Sequence, residues 1–150
     1  MGAVDGIKIV RTSSFYETEP WLEMKTTWFV NAVVEIKTSL NPQQLLVVCQ
    51  RIEAKLGRNR EIEGHFGDRT LDIDILFYGN EIVNAPNLEI PHKHIQERAF
   101  ALVPMLEVNP DFVHPKLQKT VSELHEELEN PEMVCLYGTR GSEQSKAEEN

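Results

Sequence analysis

A chain of 150 residues is long enough for one domain that buries about two thirds of its unfolded surface, and 41% hydrophobic with 26% charged residues is the balance of a soluble globular protein, not of a disordered or fibrous one. No stretch approaches the roughly 18 consecutive apolar residues of a transmembrane helix and no basic-then-apolar leader opens the chain, so a cytoplasmic protein is expected. The formal charge of −9 is uneven: residues 121–150 carry −6 of it, so the acidity marks the C-terminal end, says little about a site elsewhere, and gives no reason to expect a nucleic-acid partner.

Cys49 and Cys135 lack metal-type spacing and read as reduced structural thiols, with a strained pairing left open. A short strand is expected at Ile7–Arg11, followed by a strand end running from Ser13 into a loop that Pro20 breaks. Residues 21–27 are expected to form a loop. Residues 28–39, rich in β-branched and aromatic side chains, are expected to make one good strand. Asn41-Pro42 opens a helix, with Asn41 at the cap and an apolar stripe of Leu45, Leu46, Cys49, Ile52 and Leu56, and Gly57 is expected to close it. A charged loop over 58–68 then leads into a strand over 70–78. Gly79-Asn80 is a turn signal, with Glu81-Ile82-Val83 a returning strand.

Pro91-His92 leads into a helix near 94–107, with Ile95, Phe100, Ala101, Leu102, Met105 and Leu106 supplying the core. Thr120 and Glu123 form a capping box for a last helix over about 120–129. Met133 to Tyr137 is expected as a closing strand, and residues 138–150 as a polar, disordered tail to a domain spanning 1–137. Strands alternating with helices, some of them adjacent, predict an α+β sandwich of helices on a mainly antiparallel sheet.

The stretch Gly67-Asp68-Arg69-Thr70-Leu71-Asp72-Ile73-Asp74-Ile75-Leu76-Phe77 carries the strongest chemical signal. On a strand, Leu71, Ile73, Ile75 and Phe77 share one face, and Asp72 and Asp74 share the other at about 7 Å. Such a pair either solvates an edge strand or holds a hard cation such as Mg²⁺. Arg58, Arg60 and Arg69 flank the loop that precedes it. By themselves Arg58 and Arg60 equally suit a helix C-terminus, but arginine forks beside metal-type carboxylates suit polyphosphate chemistry. Gln50 and Glu53 share a helix face, and Glu53 either reaches this site or pairs with Arg51 or Lys55 as a solvated charge. His92, after Pro91, is a structural residue or a phosphate donor.

Several blocks in order resemble the 6-hydroxymethyl-7,8-dihydropterin pyrophosphokinases: Ser13 to Pro20, Phe29-Val30-Asn31-Ala32-Val33, Gln50-Arg51-Ile52-Glu53, Leu56-Gly57-Arg58, Arg69-Thr70-Leu71-Asp72-Ile73-Asp74, and Pro91-His92 with Glu97-Arg98-Ala99-Phe100. The resemblance covers residues 7–115. It implies a ferredoxin-like α+β fold and transfer of pyrophosphate from ATP to the pterin hydroxymethyl group, releasing AMP. It further implies that Asp72 and Asp74 hold two Mg²⁺ ions and that Arg58, Arg69, His92 and Arg98 face the ATP phosphates. Gln50, Glu53 and Arg60 fall to the nucleotide side. Asn31 reads the pterin edge, Phe29 and Phe100 stack on its two faces, and the Thr18 backbone adds contacts. Loops near 19–27 and 59–68 are expected to close over ATP.

The chain departs from the family pattern in places. The family's opening strand, Gly-Ser-Asn loop and helix do not precede Ile7, so either the sequence is expected to start downstream of the true start, or the fold to be rebuilt, with a partner chain as one source of the strand. Gly67-Asp68-Arg69 stands for the usual Gly-Pro-Arg, and residues 22–27 lack a Gln-Pro before the aromatic. Glu61 and Phe66 stand where a basic residue and a Trp are usual, in a loop one residue longer. The competing expectation is an impaired paralogue that binds pterin or nucleotide without turnover, or serves only as an interaction domain. A plain acidic metal-binding protein leaves Phe29, Asn31 and Phe100 unexplained.

Overall fold

A computed structural model describes residues 6–19, 29–62, 72–129 and 131–138, the side chains of 57–62 and 138 excepted. The architecture is α+β, as the alternation of elements predicts, and the chain divides into two compact units, Met1–Lys37 with His94–Asn150 and Thr38–Lys93.

The first unit holds the strands β1 (Ile7–Thr12), β2 (Phe15–Thr18), β3 (Phe29–Asn31) and β7 (Val134–Gly138), and most of β4 (Val34–Thr38). β1 pairs with β4, and β2 pairs antiparallel with both β3 and β7, placing Tyr16 opposite Asn31 and Thr18 opposite Phe29. The single strand expected over 28–39 is therefore two, broken at Ala32-Val33, and the first strand likewise breaks at Ser13-Ser14. The two breaks face each other. Ser13 N–H donates to the Val33 carbonyl at 2.8 Å, while Val33 N–H donates to the Ser13 hydroxyl at 2.8 Å instead of to a carbonyl. A side-chain acceptor standing in for a backbone one keeps the part-buried N–H satisfied while the chain passes from one sheet to the next. Composition alone favours an unbroken strand here, because every residue of the run tolerates extended backbone.

The helical layer of this unit begins with a short 3₁₀ turn (Ile95–Glu97), then α2 (Ala99–Val108) and α3 (Val121–Glu126). Ile95, Ala99, Ala101, Leu102, Met105, Val108, Val121 and Leu124 are buried, with Leu102 and Val121 at 0% exposure. The capping box is reciprocal: Glu123 N–H donates to the Thr120 hydroxyl at 3.1 Å and Thr120 N–H to the Glu123 carboxylate at 3.0 Å. The helix it opens ends at Glu126, sooner than the expected 129. Ahead of it, His114 is buried and its Nδ1 accepts from the N–H groups of Lys116 and Leu117, at 3.2 and 3.1 Å. Burial, then the Lys116 charge, holds this imidazole below its usual pKa against an opposing backbone hydrogen bond, so it is a neutral acceptor that ties a turn.

The second unit is built on α1 (Pro42–Ile62) and the antiparallel hairpin of β5 (Val83–Ala85) and β6 (Leu88–Ile90). Asn41 caps α1 as expected and does so reciprocally: Gln44 N–H donates to its side chain at 2.8 Å and its own N–H to Gln44 Oε1 at 2.9 Å. Gly57 does not close the helix, which continues to Ile62 and converts part of the expected 58–68 loop into helix. A helical glycine costs about 1 kcal/mol relative to alanine, too little to stop a run of Arg, Asn and Glu that can continue the turn. Residues 63–68 lie outside the described residues, as do 20–27 of the other expected closing loop.

Residues 72–78 form no strand ladder among the described residues, contrary to the expected strand over 70–78. Their backbone bonds go elsewhere: Ile73 N–H to a side chain and the Leu76 carbonyl to His92 N–H at 2.9 Å. The alternation itself survives, with Asp72 and Asp74 exposed and Ile73 and Ile75 half-buried. Gly79 makes the turn at φ +53°, and the returning strand lies at β5, paired with β6. Leu45, Cys49, Leu88 and Ile90 are buried apolar residues among the described part of this unit.

Candidate active site

The site residues expected from sequence fall into two groups, one in each unit. In the first unit, Phe29 and Asn31 stand two apart on β3 and so project from the same face, with Thr18 across from Phe29 on β2. The Asn31 amide is held at both ends: its Nδ2 donates to the Phe100 carbonyl at 2.6 Å and its Oδ1 accepts from the Thr18 hydroxyl at 3.3 Å. A carbonyl can only accept and Thr18 is 0% exposed, so these partners determine which end of the amide is nitrogen. Among the described residues these two bonds use one N–H and one lone pair of the Asn31 amide.

The Phe29 and Phe100 rings meet edge to face, centroids 5.8 Å apart and planes at 78°. That is a favourable aromatic contact. It is also narrower than the about 7 Å that two van der Waals gaps around a flat guest require. The rings are thus brought together, in the arrangement of a closed pair.

Phe100 sits in the first turn of α2, whose N-cap is Arg98 with extended backbone and no side-chain cap bond. The missing cap comes from far along the chain: Glu132 Oε1 accepts from Ala99 N–H at 3.1 Å. A carboxylate at a helix N-terminus is favoured by the unpaired N–H groups and the dipole. At the other end of α2, Glu107 accepts from the Ser14 N–H, from the Ser14 hydroxyl at 2.6 Å and from the Tyr16 hydroxyl at 3.3 Å. Burial pushes the Glu107 carboxyl up, but the Ser14 and Tyr16 hydrogen bonds outweigh it and hold the carboxyl below its usual range. Tyr16 moves the other way, raised by burial and by the Glu107 charge. Sequence reading missed Glu107 and Glu132, since no local spacing links them to residues more than thirty positions away.

In the second unit the acidic group assembles around α1. Glu53 Oε2 accepts from Ile73 N–H, the residue between Asp72 and Asp74, at 2.7 Å. Glu53 therefore reaches the acid stretch, the alternative that local spacing favoured less. Beneath it Cys49 is 2% exposed, and burial, then the charges of Glu53 and Asp74, push its thiol up. Both cysteines are free thiols. Gln50 is exposed on α1, one turn before Glu53, and His92 is half-buried beside the end of the acid stretch, joined to it through Leu76. Arg58 and Arg60 lie on the last turns of α1, where their side chains are not described, and Arg69 lies outside the described residues.

Among the described residues no three His, Cys, Asp or Glu side chains form a cluster able to cage a metal. Asp72 and Asp74 instead stand as two exposed carboxylates. That suits Mg²⁺, which is usually held by one or two carboxylates and completes its shell with waters and substrate phosphates. No helix among the described residues is long and apolar enough to cross a membrane.

Residues 1–110 match the family model described as 7,8-dihydro-6-hydroxymethylpterin-pyrophosphokinase. The chain is 46% identical to the 2-amino-4-hydroxy-6-hydroxymethyldihydropteridine pyrophosphokinase of Methylorubrum extorquens over 113 residues, covering 75% of this chain and 70% of that protein. It is 42% identical to the protein of the same name from Haemophilus influenzae, covering 85% of this chain and 78% of that one. Similarity to the folic acid synthesis protein fol1 of Pneumocystis carinii is 40% over 84% of this chain, which spans 17% of that longer protein.

Proposed function

Because the chain belongs to the 7,8-dihydro-6-hydroxymethylpterin-pyrophosphokinase family, we propose that it transfers pyrophosphate from ATP to the hydroxymethyl group of 6-hydroxymethyl-7,8-dihydropterin, giving AMP, in folate biosynthesis. The observation that carries this reading is the family match, with its motifs falling on an amide-and-aromatic group and on a carboxylate pair. The hydroxymethyl oxygen attacks the β-phosphorus of ATP, the bond from that phosphorus to the α,β-bridging oxygen breaks, AMP leaves, and the hydroxyl proton passes to solvent.

Asn31 offers its spare N–H and lone pair to the pterin edge. Phe29 and Phe100 part from their edge-to-face contact and take the flat ring between them, which fixes the hydroxymethyl arm. Asp72 and Asp74 hold Mg²⁺ (two ions in this reading), and Glu53 orients them by anchoring the backbone between them. Mg²⁺ held there would supply positive charge against the triphosphate. Arg58, Arg69, His92 and Arg98 are assigned to the ATP phosphates and Gln50 and Arg60 to the nucleotide side, while the Thr18 hydroxyl keeps Asn31 aligned. The setting is cytoplasmic, with small-molecule partners and no nucleic acid.

The test is AMP formation from ATP in the presence of the dihydropterin. It is expected to need Mg²⁺, to stop on chelation, and to be abolished in Asp72→Ala while dihydropterin binding persists. Dihydropterin binding without AMP release from folded, Mg²⁺-saturated protein would leave only the binding half of the reading standing.

A further inference from the structure

Pro104 lies inside α2, four residues after Phe100, and is almost fully buried. Proline has no N–H, so the hydrogen bond that residue 104 returns to the Phe100 carbonyl in an unbroken helix cannot form. That same carbonyl receives the Asn31 Nδ2 at 2.6 Å. We propose that Pro104 is a positioning residue for Asn31: by denying the Phe100 carbonyl its helical donor, it keeps an acceptor open for the amide and thereby sets the edge that Asn31 shows to the ligand. The inference deepens the reading of Asn31 as the pterin-binding amide and rests on it.

The physical argument has three parts. A part-buried carbonyl still seeks a donor, and here the only residue type that cannot supply the helical one stands at the fourth position. Asn31 fills the gap, and rotating its amide by half a turn would set oxygen against oxygen at Phe100 and NH₂ against the Thr18 hydroxyl, so one orientation is selected. Phe100 also carries the ring that meets Phe29, so the backbone group that orients the amide and the ring that contacts the guest belong to one residue. Pro104 thus couples helix geometry to both recognition elements without touching the ligand.

The test uses Pro104→Ala in the full chain, alone and together with Asn31→Ala. Alanine restores the N–H and suits a helix better than proline, so the variant is expected to fold. Three results are expected. The residue 104 amide becomes protected from hydrogen exchange. The Asn31 side-chain amide resonances move toward those of a free amide. The Kd for 6-hydroxymethyl-7,8-dihydropterin rises about tenfold, as for loss of one hydrogen bond. In the Asn31→Ala background the same substitution is expected to change that Kd by less than about twofold.

The proposal is overturned if the Asn31 resonances do not move in Pro104→Ala, or if affinity falls equally in both backgrounds, since Pro104 would then act by packing alone. Should the variant fail to fold, the unmodified chain decides. Slow exchange and downfield shift of one Asn31 Nδ2 proton are required, and free-amide behaviour sinks the idea. If Asn31→Ala leaves dihydropterin binding unchanged, the pterin reading fails, while the resonance and exchange data still judge the link between Pro104 and Asn31.

Discussion

Glu53 and Ile73 are joined by a 2.7 Å hydrogen bond from the Ile73 backbone N–H to the Glu53 carboxylate, twenty residues away in sequence. The bond ties α1 to the peptide group that joins Asp72 to Ile73. A negatively charged acceptor makes it stronger than an ordinary backbone contact, at about 1.5–3 kcal/mol.

Replacing Glu53 is therefore expected to act on the metal–nucleotide side alone. Glu53→Ala is predicted to raise the KM for Mg·ATP by about tenfold or more, from the loss of a charge-assisted bond of about 1.5 kcal/mol or more. Glu53→Gln keeps an acceptor oxygen and is expected to lose less. Steady-state AMP formation at saturating dihydropterin measures both, and a shift in dihydropterin KM of the same size would contradict the assignment.

Thr18→Val probes the other end of the Asn31 amide. The substitution conserves volume at a fully buried position and deletes only the hydroxyl that donates to Oδ1. Dihydropterin affinity is predicted to fall about fivefold, for a net bond of about 1 kcal/mol, with ATP binding unchanged. Calorimetric titration with each substrate separates the two.

Insertion of a pterin between Phe29 and Phe100 requires an edge-to-face pair to open. The near-ultraviolet circular dichroism of the protein, and the ring-current shifts of both phenylalanines, are predicted to change on adding the dihydropterin and to stay put on adding ATP analogue alone. A ring pair that keeps its resonances in the bound state would argue that the guest sits elsewhere.

Two groups make the fold sensitive to acid, with the same sign. His114 is held below its usual pKa of 6.5, so its contribution is complete above that value and is lost as pH falls through its lower, folded pKa. Glu107 is held below its usual 4.5, so its contribution is complete above that value and is lost as pH falls further. Denaturant midpoints measured from pH 8 to pH 3 are expected to decline in two stages. His114→Asn, which retains an acceptor near the Nδ1 position, is predicted to remove the earlier one.

Packing in the first unit centres on Leu102, at 0% exposure in α2. Leu102→Ala is predicted to cost about 2–5 kcal/mol in unfolding free energy, the range for a buried leucine that leaves a cavity. Chemical denaturation gives the value, and a loss under 1 kcal/mol would mean the site collapses around the gap.

What could be read from the chain in advance was local. Asn41 and Thr120 cap helices because their side chains reach backbone groups only three residues on. Asp72 and Asp74 are exposed and Ile73 and Ile75 half-buried, the alternation that the residue pattern predicts. The motif blocks identified the family for the same reason, being short and contiguous. Everything decided by a distant partner had to wait for the fold. Residues 28–39 break in two because Ser13, twenty positions back, supplies a hydroxyl to Val33. Glu53 turns from a solvated helix charge into an anchor because Ile73 presents an N–H that joins no ladder among the described residues. The Phe100 carbonyl, left without a helical donor by Pro104, takes one from Asn31 across 69 residues of chain. Backbone hydrogen-bonding groups must all be satisfied, but sequence shows only which neighbours can do it, and tertiary structure chooses the partner when the neighbours cannot.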